Sequence, residues 1–316
     1  MNLQTKIPLK KESKNLISYS SKILLLGSCF SENIGEKLNY YKFQTTQNPF
    51  GILFHPKSIE NLILNAINKK QYSESDLIFQ NERFHCFDAH SSLSSSDKNE
   101  VLNQLNSAIS STNKNLKEAT HLIITLGTSW VYRFIATDEI VANCHKIPQK
   151  KFLKELLSVD EITESLEAII SLIKSVNKNT TIIFTVSPVR HLKDGFVENM
   201  QSKAHLIAAI HQIKNEREST FYFPSYEIMM DELRDYRFYA EDMIHPNQTA
   251  INYIWERFVA TWFSDDSLPT MQEIDTIQKG NAHKPFNENS IQYQDFLKNL
   301  SEKKQKISQA FPFIKF

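Results

Sequence analysis

Glycine is scarce in this chain: there are six in 316 residues, about 2% where roughly 7% is usual. Three of the six, Gly27, Gly51 and Gly127, fall at the ends of strand-like runs or in adjoining loops, where backbone must turn tightly or approach another group closely. Cysteine is equally sparse. Cys29, Cys86 and Cys144 are odd in number and far apart, which does not resemble a disulfide framework and predicts free thiols in a reducing compartment. Charge of either sign is not in excess: Lys plus Arg and Asp plus Glu are both 36, so there is no electrostatic case for nucleic acid or an anionic membrane. No apolar run reaches the ~18 residues that span a bilayer. The opening stretch MNLQTKIPLKKESKN also lacks the apolar core of a signal peptide. The expectation is a cytoplasmic protein with no membrane span and no nucleic-acid partner. With 41% hydrophobic residues the chain can bury a sizeable core.

What is present is an alternation of strand and helix. Residues 1–20 are polar and predict a loosely attached arm. In KILLLGSCFSENIGEKL, Ile23–Leu26 suits a buried strand, Gly27 breaks it, and Phe30, Ile34 and Leu38 recur at helical spacing. Tyr41–Thr46 reads as a second strand running into the loop NPFG, Asn48–Gly51, and Pro56 opens a helix. Further buried-type strands are His121–Leu126, Thr180–Val186 and Thr220–Phe223, with helices over about 99–117, 161–176 and 199–214. Leu77–His90 reads as an excursion of one or two antiparallel strands, and Val131–Cys144 as a hairpin insertion. Asn247 caps a helix carrying Ile251, Ile254, Trp255, Phe258 and Trp262 on one face. The pattern predicts an α/β domain over residues 21–264, its mostly parallel sheet covered by helices on both faces. Residues 265–316 read as a charged, partly helical extension.

Ligands of such sheets gather beyond the carboxyl ends of the strands. The loops there hold Ser28 and Cys29, Gly127 and Ser129, Arg190 and His191, and Asp242 and His245. Ser28 and Cys29 stand beside a helix N-terminus, where N–H groups and the dipole lower the pKa of a nucleophile. The alternative is that Cys29 is a small buried hydrophobe. Asp242 and His245, three apart in a turn, can hydrogen-bond so that the carboxylate fixes the imidazole tautomer; otherwise they are a capping Asp and a surface His. Arg190 suits an anionic part of a substrate, or is tied to a carboxylate such as Asp194. Tyr236, Phe238 and Tyr239 line a pocket or belong to the core. The run HCFDAH places Cys86, Asp88 and His90 at period-two spacing, a candidate metal set, although zinc normally draws ligands from more than one segment. No metal and no cofactor is expected.

Taken together, LGSCFSENIG, NPFG, LGTSWVY, SPVRH, YFPSYEI and RDYRFYAEDMIHP resemble the GSCFA domain family, which is similar to the SGNH/GDSL hydrolases. The resemblance covers about residues 20–264. It implies a flavodoxin-like three-layer sandwich and an activity on esters such as acylated carbohydrates, lipids or small esters. Gly27 matches the first-block glycine, Ser28 stands where the wider superfamily has Asp, and Cys29 falls at its nucleophilic Ser. Gly51, in the loop with Asn48, matches the second-block glycine, an oxyanion donor. Ser129, beside Gly127, occupies the place of an Asn, while Asp242 and His245 match D-x-x-H unaltered. The departures lie at the nucleophile and at one oxyanion donor. The implied chemistry is a covalent acyl-enzyme on Cys29 or Ser28, in a hydrolase or an acyltransferase acting on a small-molecule or glycan ester. A degenerate member binding a glycan or acyl group is the alternative, and a metal-dependent hydrolase centred on His85–His90 is a third.

Overall fold

The computed structural model describes residues 5–214 and 219–316. The chain opens with β1 (Lys22–Gly27), α1 (Cys29–Tyr40), β2 (Gln44–Gln47) and α2 (Pro56–Ile67). A two-stranded antiparallel ribbon follows, β3 (Leu77–Gln80) and β4 (Arg83–Cys86), then α3 (Lys98–Glu118) and β5 (His121–Leu126). Next come β6 (Trp130–Phe134), β7 (Glu139–Val141), β8 (Phe152–Leu156) and α4 (Val159–Val176). They are followed by β9 (Thr181–Val186), α5 (Phe196–Lys214) and β10 (Thr220–Phe223). A short helical turn α6 (Ser225–Glu227) runs into a π-helical turn, Ile228–Glu232, before α7 (Gln248–Trp262), α8 (Ser267–Ala282) and α9 (Ile291–Ala310).

The main sheet runs β10-β9-β5-β1-β2, and every pairing in it is parallel. Numbered by appearance, these strands stand in the order 2-1-3-4-5, the flavodoxin-like arrangement. Alternation along the strands splits the core into two layers. Leu24, Leu26, Ile124 and Phe184 face one way, with Ile59 of α2, Leu105 of α3, Leu166 of α4 and Leu206 of α5. Ile23, Leu25, Ile123 and Ile183 face the other, with Phe30 and Ile34 of α1 and Ile254 and Phe258 of α7. Strands buried on both faces read as unbroken apolar runs, which is why Ile23–Leu26 was recognisable as one. The three-layer α/β sandwich expected from the sequence is the one observed.

Two features differ from expectation, the insertion and the N-terminal arm, whereas the helical C-terminal extension agrees with it. The insertion after β5 is a three-stranded antiparallel sheet, β7-β6-β8, not a hairpin. Its third strand, FLKEL, is half exposed and is held by Arg133–Glu155 at 2.9 Å and by Phe134 packed on Phe152. The described part of the N-terminal arm is fastened down; residues 1–4 lie outside the described residues. Ile17 and Tyr19 are buried, Ile17 pairs with Phe263, and the Tyr19 ring stacks on Phe43 at 4.3 Å. The C-terminal extension is a helical pair whose Ile274, Ile277, Leu300 and Ile307 join the core on the α1 and α7 side. Among the described residues no helix is long and apolar enough to cross a membrane.

Gly27 ends β1 at φ +130, and a Cβ there would stand 2.1 Å from the Thr125 carbonyl oxygen. Only glycine fits so close a contact between two central strands, and it is this contact that brings the next two residues out at the sheet edge.

Candidate active site

Ser28 is the N-cap of α1. It is fully buried, its N–H donates to Thr125 O at 3.0 Å, and its Oγ accepts from Phe30 N at 3.4 Å. A capping serine satisfies helix N–H groups that have no partner within the helix. Cys29 is the first residue of α1 and, half-buried, faces a cleft of about 700 Å³ at the carboxyl ends of the strands.

His245, in the turn before α7, lines the same cleft. Asp242 builds the turn before it: Oδ1 accepts the N–H groups of Ile244 at 2.9 Å and His245 at 3.0 Å. Its Oδ2 lies 2.7 Å from His245 Nδ1. These N–H donors hold the Asp242 carboxyl down to about 2, so it is ionised and can only accept: Nδ1 donates to it, which leaves Nε2 with the lone pair in the neutral form of the ring. Cys29, Arg190, His191 and His245 line the same cleft.

The remaining candidates stand behind it. Asn48 Oδ1 accepts from Gly27 N at 2.9 Å and braces the first loop. The Gly51 N–H, expected as an oxyanion donor, is already given to Asn48 O at 2.7 Å. Its φ of +71 and the 2.4 Å that would separate a Cβ from His90 Cβ show what the glycine is needed for. Ser129 Oγ likewise donates to Ser202 O at 3.0 Å and is fully buried. Gly127 sits at the cleft wall, where an added Cβ would meet His191 Nε2 at 3.2 Å.

Arg190 makes no ion pair with Asp194, which pairs instead with Lys154 at 2.6 Å. Its N–H donates to Ile244 O at 3.2 Å, tying this loop to the histidine turn, while its Nε is buried without a partner. Burial, reinforced by the charges of Lys203 and His245, pushes the His191 imidazole down to about 3, so it is neutral. The aromatic candidates lie outside the cleft: Tyr236 is 81% exposed, and Phe238 and Tyr239 pack on the core.

The HCFDAH segment does not gather its side chains. β4 ends at Cys86, so period-two spacing stops there. His85 bonds Ser94 Oγ at 2.7 Å, and Asp88 accepts from Tyr72 at 2.9 Å and Asn61 at 3.0 Å. Among the described residues no group of three or more His, Cys, Asp or Glu is placed to hold a metal.

The thiol of Cys29 departs from the expected lowered pKa. Burial pushes it up, and Glu32 one turn along the helix adds to the rise. Lys203 and the N–H groups of Cys29 and Phe30 pull the other way without prevailing. Lys203 was missed from the sequence. It is 1% exposed, and its Nζ donates to Gly127 O at 2.7 Å and Ser187 O at 2.8 Å. The signal was its helical spacing, three residues before Leu206 and seven before Ile210, on the apolar stripe of α5.

Comparison with curated proteins finds no match. Among solved structures the chain is similar to an acetyl xylan esterase, Est2A, from the rumen bacterium Butyrivibrio proteoclasticus. The two are 11% identical with a TM-score of 0.34, over 77% of this chain and 63% of that one, so the match spans less than two thirds of the esterase. The model of the GSCFA family matches residues 22–258, and that of the GSCFA domain protein C-terminal domain matches residues 274–316. The chain belongs to the GSCFA family.

Proposed function

We propose that this protein is an acyl-ester hydrolase or acyltransferase that works through an acyl-enzyme on Cys29, with His245 as base and Asp242 as its orienting carboxylate. One observation carries the reading: Cys29 and a histidine whose tautomer is fixed open onto one cleft at the carboxyl end of the sheet. Because burial holds the thiol protonated, the proton leaves as attack begins. His245 Nε2 takes it while Sγ bonds to the ester carbonyl carbon. The tetrahedral oxyanion collapses, the C–O bond breaks, and the leaving alkoxide recovers the proton from His245. Water or an acceptor alcohol then attacks the thioester, with His245 again as base, and the thiol is restored. The Cys29 N–H at the helix N-terminus supplies an oxyanion donor, and one such donor is typically worth about 10²–10³ in rate. Arg190, which pairs with no carboxylate among the described residues, takes an anionic portion of the substrate.

The test uses a panel of p-nitrophenyl esters and acyl thioesters, followed by mass spectrometry for an acyl adduct. The reading requires turnover that is lost in Cys29→Ala and His245→Ala and retained in Ser28→Ala. Turnover lost only in Ser28→Ala overturns Cys29. Saturable binding with no turnover and no adduct instead supports a glycan- or acyl-binding protein. The engagement of the Gly51 N–H and the Ser129 hydroxyl elsewhere favours that second reading.

A further inference from the structure

We propose that His191 is a further catalytic residue of this site, its Nε2–H donating to the oxyanion that forms when Cys29 attacks an ester. The proposal rests on the reading of Cys29 as the nucleophile.

Attack by Sγ drives the carbonyl electron pair onto oxygen, and that charge is stabilised by donors fixed in place beforehand. The Cys29 N–H is one. The Gly51 N–H is spent on Asn48 O at 2.7 Å and the Ser129 hydroxyl on Ser202 O at 3.0 Å. A second donor has to be another group of the cleft with nothing else to bond.

His191 meets that description. Its Nε2 is buried without a hydrogen-bond partner among the described residues, and the residue lines the cleft together with Cys29 and His245. Buried polar atoms are rarely left unpaired, and one at a cleft wall marks a place for a ligand atom. The loops around the ring explain where it stands. Leu53 N donates to Gly27 O at 3.0 Å and Phe54 O accepts from Gly127 N at 2.7 Å, so residues 53–54 bridge the ends of β1 and β5. The His191 ring packs edge-on against the Phe54 ring, centroids 5.5 Å apart, and a Cβ on Gly127 would stand 3.2 Å from Nε2. Nε2 thus lies at the end of β5, the strand next to β1, and the glycine leaves room for it. Backbone contacts hold the loop there: His191 N donates to Asn199 Oδ1 of α5 at 2.9 Å, and Arg190 N to Ile244 O at 3.2 Å.

Burial, reinforced by Lys203 and His245, keeps the ring neutral. A neutral imidazole has one N–H and one lone pair, and a negative oxygen selects the tautomer with hydrogen on Nε2. Neutral imidazole is a known electrophile toward carbonyl groups. It also lets His245 become the imidazolium, which a second cation nearby would oppose. In the step, the Cys29 proton passes to His245, Sγ bonds to carbon, and the oxyanion accepts from Cys29 N and His191 Nε2. When the C–O bond to the leaving group breaks, the carbonyl re-forms, and His191 keeps its proton throughout.

Initial rates on p-nitrophenyl acetate are compared for the wild type, His191→Phe and His191→Gln. His191→Phe keeps a ring against Phe54 and removes both nitrogens, so kcat falls about 10²-fold with KM little changed. His191→Gln returns an N–H near the place of Nε2 and recovers about tenfold of that loss. A folded His191→Phe with wild-type kcat overturns the proposal, as does an equal loss in both variants, which would reduce the ring to packing. If His191→Phe does not fold, wild-type protein labelled with 15N-histidine gives the reading. A trifluoromethyl ketone adduct on Cys29 gives His191 a slowly exchanging Nε2–H, and its absence overturns the proposal. A wild type that neither turns over ester nor forms the adduct defeats the Cys29 reading and the proposal with it. An active wild type indifferent to His191 defeats the proposal alone.

Discussion

His245 Nδ1 stands 2.7 Å from Asp242 Oδ2, and the other oxygen of the same carboxylate accepts the His245 backbone N–H at 3.0 Å. One side chain thus fixes both the position of the histidine backbone and the direction of its ring. Asp242→Asn removes the charge and offers Nδ1 an amide of either polarity. Initial rates on a p-nitrophenyl ester are expected to fall roughly 10²–10⁴-fold in kcat, with KM little changed. Equal losses in KM and none in kcat would contradict this orienting role.

The two residues at the start of α1 separate chemistry from stability. Ser28→Ala removes the cap on Phe30 N and is expected to cost about 1 kcal/mol in urea unfolding, with ester turnover retained. Cys29→Ala leaves the cap in place and is expected to abolish the acyl adduct that the proposed function requires, as read by mass spectrometry.

Substitution at Gly27 tests the close contact of β1 with β5. Gly27→Ala places a methyl 2.1 Å from the Thr125 carbonyl oxygen at φ +130. The expected outcome is loss of several kcal/mol or failure to fold, whereas Gly127→Ala, where the nearest atoms stand at 3.2 Å, folds and perturbs the cleft. Unfolding curves of the two variants check the contrast.

Acid sensitivity follows from buried histidines. Burial pushes His55 and His145 down to about 4 and His191 to about 3, against roughly 6.5 in the unfolded chain. As pH falls below that unfolded value the unfolded state takes up protons first. Stability is therefore full above about 6.5 and declines toward about 4, by up to roughly 1.4 kcal/mol per pH unit for each histidine. Urea midpoints measured from neutral pH downward should fall, and more gently in His55→Asn, which keeps an N-cap side chain for α2.

Arg190→Met is expected to raise KM about tenfold or more for esters carrying a carboxylate or phosphate and to leave neutral esters unchanged. Parallel Michaelis curves on a charged and a neutral ester of equal length check it. Equal effects on both would remove Arg190 from substrate recognition.

The central strands were legible because burial on two faces leaves unbroken apolar runs, as in HLIITL. Asp242 and His245 were legible because their relationship is local, made within one turn. Cys29 could be placed at the strand end because Gly27 marks where β1 stops. What depends on distant partners was hidden. The Ser129 hydroxyl is taken by Ser202, 73 residues away, and β8 exists through pairing with β6 rather than through its own composition. The raised thiol pKa of Cys29 comes from packing, which no spacing reports. Lys203 looked like any solvated lysine until its place on the apolar face of α5 was considered.

Trp130, Tyr132 and Val141 of the insertion wall the cleft, while Cys29 and His245, the groups proposed to react, sit on α1 and before α7. The two jobs of the site are thereby housed on separate pieces of chain. On the proposed function, changes in the antiparallel unit reshape which acyl or alcohol group is admitted without touching bond making. Related chains could diversify their selectivity by remodelling that single loop, the sulfur and imidazole staying where they are.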